Sequence, residues 1–461
     1  MDAFFGLVPI DDATAQSLYN HVVKAMTDVG IPYKENLIGL AADGANVMMG
    51  KHNSLSSRLK EDIPTLFILK CVCHSFHLCA SYVRLTLPRS VEGLARDVYN
   101  YLSSSPKRTS ELKEFQIFVD IKPHKLLHPS QTRWLSLHMV VSRLLEQFEA
   151  LILYFTNAVW EDRILAAQSI LDNLKDPRNR LYLEFLDFIL PYFNNLNKQM
   201  QAESPQIYTL HEAVCNLCRN LMDCYMNEDY LRKTSVENVQ YQDPRHFMPL
   251  QNMYLGPKVT ASISNNIHGL PQQAIEEFRK RCLGFFIESV RQICMRFDFR
   301  NPILKRMSAI DPKSVVKREV ASIAPLASLL PGIVKDSELN DLDREWRSLR
   351  NKDNLDSNMP VEEFWNHIRK MKTGDDRYEF PVLINFVFSI LSLPHSSAAA
   401  ERIFSAVNVM KTKQRNRLST QTLCGLLHSK RYLKDNTCFN FPVDKLLISK
   451  MNSSLYVDDS D

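Results

Sequence analysis

Glu401 stands beside Arg402 in the stretch LPHSSAAAERIFS that runs from Leu393 to Ser405, and no acidic residue follows it before Asp435. The intervening basic residues are Arg402, Lys411, Lys413, Arg415, Arg417, Lys430, Arg431 and Lys434. A carboxylate at the head of a purely cationic segment suits a position next to a polyanion, whose phosphates the basic side chains would neutralise. The plainer meaning of such a run is a solvated helix face. Leu418, Leu423, Leu426, Leu427 and Leu433 are interleaved with these charges and argue for packing, including packing between subunits.

A second carboxylate, Asp43, follows the apolar run Leu37 to Ala42, which has the character of a buried strand. Acids at the carboxyl edge of an α/β sheet converge on a crevice where metals and phosphates bind. A helix cap accounts for Asp43 equally well. Glu401 lies on a helix opened by Pro394, Ser396 and Ser397, with Ser405 and Asn408 on its polar face. A solvated first-turn glutamate favoured by the helix dipole is the alternative there. Cys71, Cys73, His74, His77 and Cys79 are zinc-ligand types, but they crowd one strand-to-helix junction rather than forming two separated pairs. They read as buried thiols, as do Cys215 and Cys218, and no bound zinc is expected. Arg133-Trp134 precedes a helical block, where the tryptophan either fills a core or stacks on an unpaired base.

The elements that must position these residues begin with an alternation of strand and helix signals. Phe4 to Val8 reads as a strand, Ala13 to Val29 as a helix, and Leu37 to Ala42 and Leu66 to Cys73 as strands, with a helix from His74. That order predicts a parallel α/β layer. From Leu135 to Met371 long helical patterns dominate, over 140–159, 164–174, 181–200, 210–227 and 273–297. Phe380 to Leu391 is helical again, so the α/β part is interrupted and then resumed. The 461 residues carry 56 Lys and Arg against 52 Asp and Glu, a balance that does not by itself mark a nucleic-acid binder. With 12 Gly and no phosphate-loop pattern, a nucleotide cofactor has no support. The scattered cysteines fit a reducing compartment, and no apolar run reaches the roughly 20 residues of a membrane helix.

Taken in order, LIGLAADGANVMMG (Leu37–Gly50), KCVCHSFHLCAS (Lys70–Ser81), Thr132-Arg133-Trp134, LPHSSAAAERIFS and KQRNRLS resemble transposases of the hAT superfamily. The resemblance implies α/β plus all-α architecture, with an incomplete ribonuclease-H-like core interrupted by a large helical insertion. It divides the chain into a core part (1–134), an insertion (135–375), a C-terminal dimerisation region (376–435) and a tail (436–461). It further implies three acids holding Mg²⁺ or Mn²⁺, hard ions that prefer oxygen ligands. Asp43 matches the second acid and Glu401 the third, as catalytic and metal-binding residues. Trp134 matches the residue that stabilises an extruded base, and Cys71 with His74 the family's CxxH pair. Arg133, Arg402, Lys411, Lys413, Arg415 and Arg417 are the expected DNA contacts. Leu418, Leu423, Leu426 and Leu427 are the expected dimer contacts.

One departure shapes the functional expectation. The first acid belongs on a strand upstream of the one with which this sequence opens, and Asp2, Asp11 and Asp12 are wrongly placed for it. The zinc finger of many relatives is missing too. The expectation is therefore a nuclear, transposase-derived protein that forms a homodimer or higher oligomer and contacts DNA, with no bound cofactor and no independent cleavage. The alternatives are a fragment of an active metal-dependent transposase, using Mg²⁺ or Mn²⁺, and an interaction module that does not bind DNA. No membrane partner is expected.

Overall fold

Alternating apolar side chains set the only sheet found among the described residues. The computed structural model describes residues 4–128, 134–162, 164–265, 269–433, 439–440 and 442–451. Strands β1 (Gly39–Ala42) and β2 (Phe67–Lys70) pair in parallel, with Gly39 opposite Phe67 and Ala42 opposite Lys70. Phe67, Leu69 and Ile38 join the main core, whereas Leu40 and Ile68 turn to a smaller cluster on Leu55, Leu59, Ile63 and Leu66. Successive strand residues point to opposite faces, so both faces of this short sheet are covered.

We number the helices of eight or more residues. α1 (Ala15–Asp28) and α2 (Leu55–Asp62) cover the smaller cluster. Thr14 caps α1, and Ser54 with Ser57 forms a capping box on α2, so each start is written in local sequence. The Tyr19 and Tyr33 hydroxyls donate to the Asp62 carboxylate at the end of α2. On the other face lie α3 (Val72–Val83), α4 (Arg89–Ser103), α5 (Pro106–Phe118), α6 (Trp134–Glu146), α7 (Phe148–Asp162) and α8 (Leu165–Lys175). Next come α9 (Pro177–Met200), α10 (Leu210–Asp223), α11 (Pro257–Ser264) and α12 (Gln272–Arg296). α9 is the axis of this block and packs on α3, α6, α10 and α11. Its Phe185 meets Phe285 and Phe286 of α12 edge-on, with ring centroids 5.2 and 5.6 Å away.

α13 (Leu339–Leu349), α14 (Val361–Arg369) and α15 (Pro381–Leu391) pack together through α15. Trp346 and Trp365 are buried there, and each indole N–H finds a backbone carbonyl, Val320 at 3.0 Å and Ile310 at 2.9 Å. α16 (Ala398–Met410) and α17 (Thr420–Tyr432) follow as a pair.

Three features differ from the sequence reading. Phe4 to Val8 is not a strand, because no strand offers it a ladder; Leu7 N–H lies 3.4 Å from Cys424 Sγ and the Phe4 ring 4.8 Å from His428. The sheet accordingly has two strands rather than three. The 140–159 helix is two helices, α6 and α7, separated at Gln147. One continuous apolar cluster draws on residues from Phe67 to Leu393.

Gly39 admits the segment that leads to α16. A Cβ there would stand 2.8 Å from Leu393 Cδ2 and 3.0 Å from Pro394 Cδ. Gly39→Val is expected to cost about 1–3 kcal/mol by overpacking. Urea denaturation checks this; unchanged stability would show that Leu393 and Pro394 do not press on β1.

Candidate functional site at the carboxyl edge of the sheet

Parallel pairing brings the ends of both strands to one edge. There the Cys71 N–H donates to the Ala42 carbonyl at 2.7 Å, which sets Cys71 alongside the residue preceding Asp43. Cys71 is fully buried and caps the start of α3. Its sulfur accepts the Ser397 hydroxyl at 2.9 Å and the Ser397 N–H at 3.2 Å. The Ser397 hydroxyl also lies 3.3 Å from Glu401 Oε1. A chain of contacts thus joins the Asp43 turn to Glu401 through Cys71 and Ser397. Ser397 starts α16 without making the usual cap, because its hydroxyl is already engaged.

The hydrogen bond from Cys73 holds the Cys71 thiol well below the ordinary thiol range; the Ser397 hydroxyl and N–H and the His74 N–H assist, and burial opposes. Cys73 is pushed up by donating its proton to Cys71 and by burial, with the charges of Cys71 and Glu401 adding to the effect. His74, half-buried on α3, reaches Cys71 through its backbone.

Asp43 is exposed, and its Oδ1 accepts the Ala45 N–H at 3.2 Å, closing the turn after β1. Glu401 is exposed as well. Among the described residues no group of three or more His, Cys, Asp or Glu side chains is placed to hold a metal ion. The residues present therefore do not fit a carboxylate site for Mg²⁺ or Mn²⁺, and no step runs through one.

Among the described residues, the side-chain hydrogen bonds that tie α16 to the rest of the protein lie at its start. Ser396 Oγ donates to the Met200 carbonyl at 2.8 Å, and Arg402 Nη1 to the Gln201 carbonyl at 2.9 Å, so two links run to the C-terminal end of α9. A cation there also complements the helix dipole. Arg402 is thereby committed within the protein. Beyond it the helix stands out: only Ala398 is buried, and Phe404 and Val409 are 61% and 75% exposed. Lys411, Lys413, Arg415 and Arg417 are exposed, and none makes an ion pair among the described residues. Of the leucines in α17 and before it, Leu423 and Leu427 are buried within the protomer, and Leu418 and Leu426 are half-buried. Arg133, Lys434 and the Trp134 side chain lie outside the described residues. Sequence reasoning missed Phe404 and Val409 as surface residues, since helical spacing alone does not tell a core stripe from an unpartnered one.

Residues 338–433 match the hAT family C-terminal dimerisation region. Residues 338–433 thus carry a dimerisation region of the hAT type. The match takes in α13 to α17, so the packed helices that carry α16 are part of the region. Among curated proteins, the chain is similar to General transcription factor II-I repeat domain-containing protein 2 of Bos taurus, 22% identical over 207 residues. That stretch covers 44% of this chain and 20% of the other protein's length.

The cysteine joint carries a pH dependence. A depressed folded pKa contributes stability that is complete above the ordinary thiol value of 9.0 and is lost as pH falls through about 5. The raised Cys73 acts oppositely, contributing below that value and losing its contribution above it. Thermal stability is expected to rise from pH 5 to 8, and Cys71→Ala is expected to flatten the rise. Melting curves at several pH values check this; parallel profiles for the two proteins would refute it.

Proposed function

We propose that this hAT-derived chain is a nuclear, DNA-contacting dimer without independent cleavage activity, built on the remnant of a ribonuclease-H-like layer. The observation that carries the reading is the juxtaposition, within the hAT dimerisation region, of two exposed apolar side chains on α16 and four cations that make no ion pair among the described residues. Phe404 and Val409 offer α16 to a second copy, and Lys411 to Arg417 offer positive charge at the end of the same helix. Burying such a face in a second copy is favourable at about 25 cal/mol per Å² of apolar surface. Cations that lack protein partners release counterions when they meet phosphates.

The layer reading rests on the parallel β1–β2 pair, covered on both faces, with an acid directly after β1 and the α16 start joined to the same edge. The proposed lack of independent cleavage rests on the separate engagements of the two exposed carboxylates, Asp43 with the Ala45 N–H and Glu401 with the Ser397 hydroxyl. A second reading is favoured by one observation: the β1 edge away from β2 has no backbone partner among the described residues. A further strand added there could complete both the sheet and an acidic site.

Phe404→Asp with Val409→Asp is expected to convert a dimer to monomer in sedimentation velocity, and an unchanged mass would reject α16 as the interface. Arg415→Glu with Arg417→Glu is expected to weaken binding to arbitrary duplex DNA and to reduce the salt slope by about 1 per lost phosphate contact. If the unaltered chain shows no DNA binding, the non-DNA interaction module replaces this reading. Mg²⁺- or Mn²⁺-dependent nicking that vanishes in Asp43→Asn and Glu401→Gln would overturn the claim of inactivity.

A further inference from the structure

A cavity of about 450 Å³ opens between the end of α4, the body of α5 and the segment Pro123–Leu126. That volume lies in the usual range of small-molecule sites. Leu102 and Leu112, both buried, line it together with Tyr99. Lys113 and Lys125 stand exposed on its lining, and no carboxylate lines it. Neither lysine makes an ion pair among the described residues. The contrast with Lys107 on the same helix is direct: it pairs with Glu111 at 3.4 Å.

The wall formed by 122–125 is built rather than loose. Gln147 Nε2 donates to the Lys122 carbonyl at 3.3 Å, Gln116 Nε2 to the His124 carbonyl at 3.1 Å and Arg143 Nη1 to the Lys125 carbonyl at 3.1 Å. His124 is itself held by Glu146 at 2.8 Å, so its ring is already matched to an acid. Gln116 is only 3% exposed and lines the cavity, its Nε2 donating to the His124 carbonyl.

We propose that this cavity binds one nucleoside phosphate unit. The base lies against Tyr99 and the leucines, and Lys113 with Lys125 takes the phosphate. The unpaired cations select an anion, and the apolar walls select one that carries a flat hydrophobic body. Two sources supply the same chemistry: a free mononucleotide and a nucleotide within a single strand. The site shares no residue with the sheet edge or with α16, so its failure and that of the proposed function are separable.

Calorimetric titration of the full chain with dAMP, dCMP, inorganic phosphate and a short single-stranded oligodeoxynucleotide tests the proposal. Saturable binding of a mononucleotide or of the oligonucleotide is expected. Lys113→Glu with Lys125→Glu is expected to weaken it at least about tenfold, at unchanged melting temperature, and Lys107→Glu to leave it intact. Binding by the oligonucleotide alone that is weakened by Lys113→Glu with Lys125→Glu assigns the strand as the source; binding by the mononucleotide assigns the free ligand. Tyr99→Leu, which keeps the apolar packing, is expected to weaken nucleotide binding. Inorganic phosphate binding as tightly as dAMP, binding indifferent to the double charge reversal, or no binding by either source overturns the proposal.

Discussion

The contact between Cys71 and Ser397 is the constraint on which the arrangement of the C-terminal helices depends. It spans 326 residues of sequence and joins the start of α3 to the start of α16. A sulfur that accepts a hydroxyl, a backbone N–H and a neighbouring thiol is a strong acceptor, and burial strengthens each of those bonds. Gly39 supports the same joint from the sheet by leaving room for Leu393 and Pro394. Ser396 and Arg402 add two bonds to the end of α9. The first turn of α16 is thus held from the sheet and from the helical block together.

Everything beyond that turn follows from being held at one end. α16 projects with Phe404 and Val409 exposed and Ile403, Val407 and Met410 half-buried, and four cations that make no ion pair among the described residues follow it. That suits a surface that awaits partners rather than one that completes a core. Leu423 and Leu427 of α17 point inward instead and stabilise the platform. The family's dimerisation region therefore divides here into an inner set of side chains that packs the protomer and an outer set free to meet another molecule.

Much of the fold was legible where one local rule decided the outcome. The runs Leu37 to Ala42 and Leu66 to Cys73 are short and apolar, and each holds a strand, Gly39–Ala42 and Phe67–Lys70, although Val72 and Cys73 belong to the helix that follows. Helices with caps such as Thr14 and Ser419 began close to where those residues stand. Legibility ended where a distant partner decided. Phe4 to Val8 has strand composition but no ladder to join. Gln147 is fully buried and polar; it sits at the break between α6 and α7 and ties down the Lys122 carbonyl, which periodicity could not foresee. Ser397 reads as an ordinary helix start, yet its hydroxyl serves a sulfur on the far side of the chain. For the same reason Asp43 and Glu401 could be named from their surroundings in sequence, but their separate engagements with Ala45 and Ser397 could not.

A double-mutant cycle on Cys71→Ala and Ser397→Ala, read by chemical denaturation, tests the central joint most directly. Each single change is expected to destabilise, and the double change to cost less than the sum, with a coupling in the range of about 0.5–3 kcal/mol for residues in one hydrogen-bonded network. Strictly additive effects would contradict the account, because they would mean that the sulfur and the hydroxyl contribute independently and that α16 is held by something else.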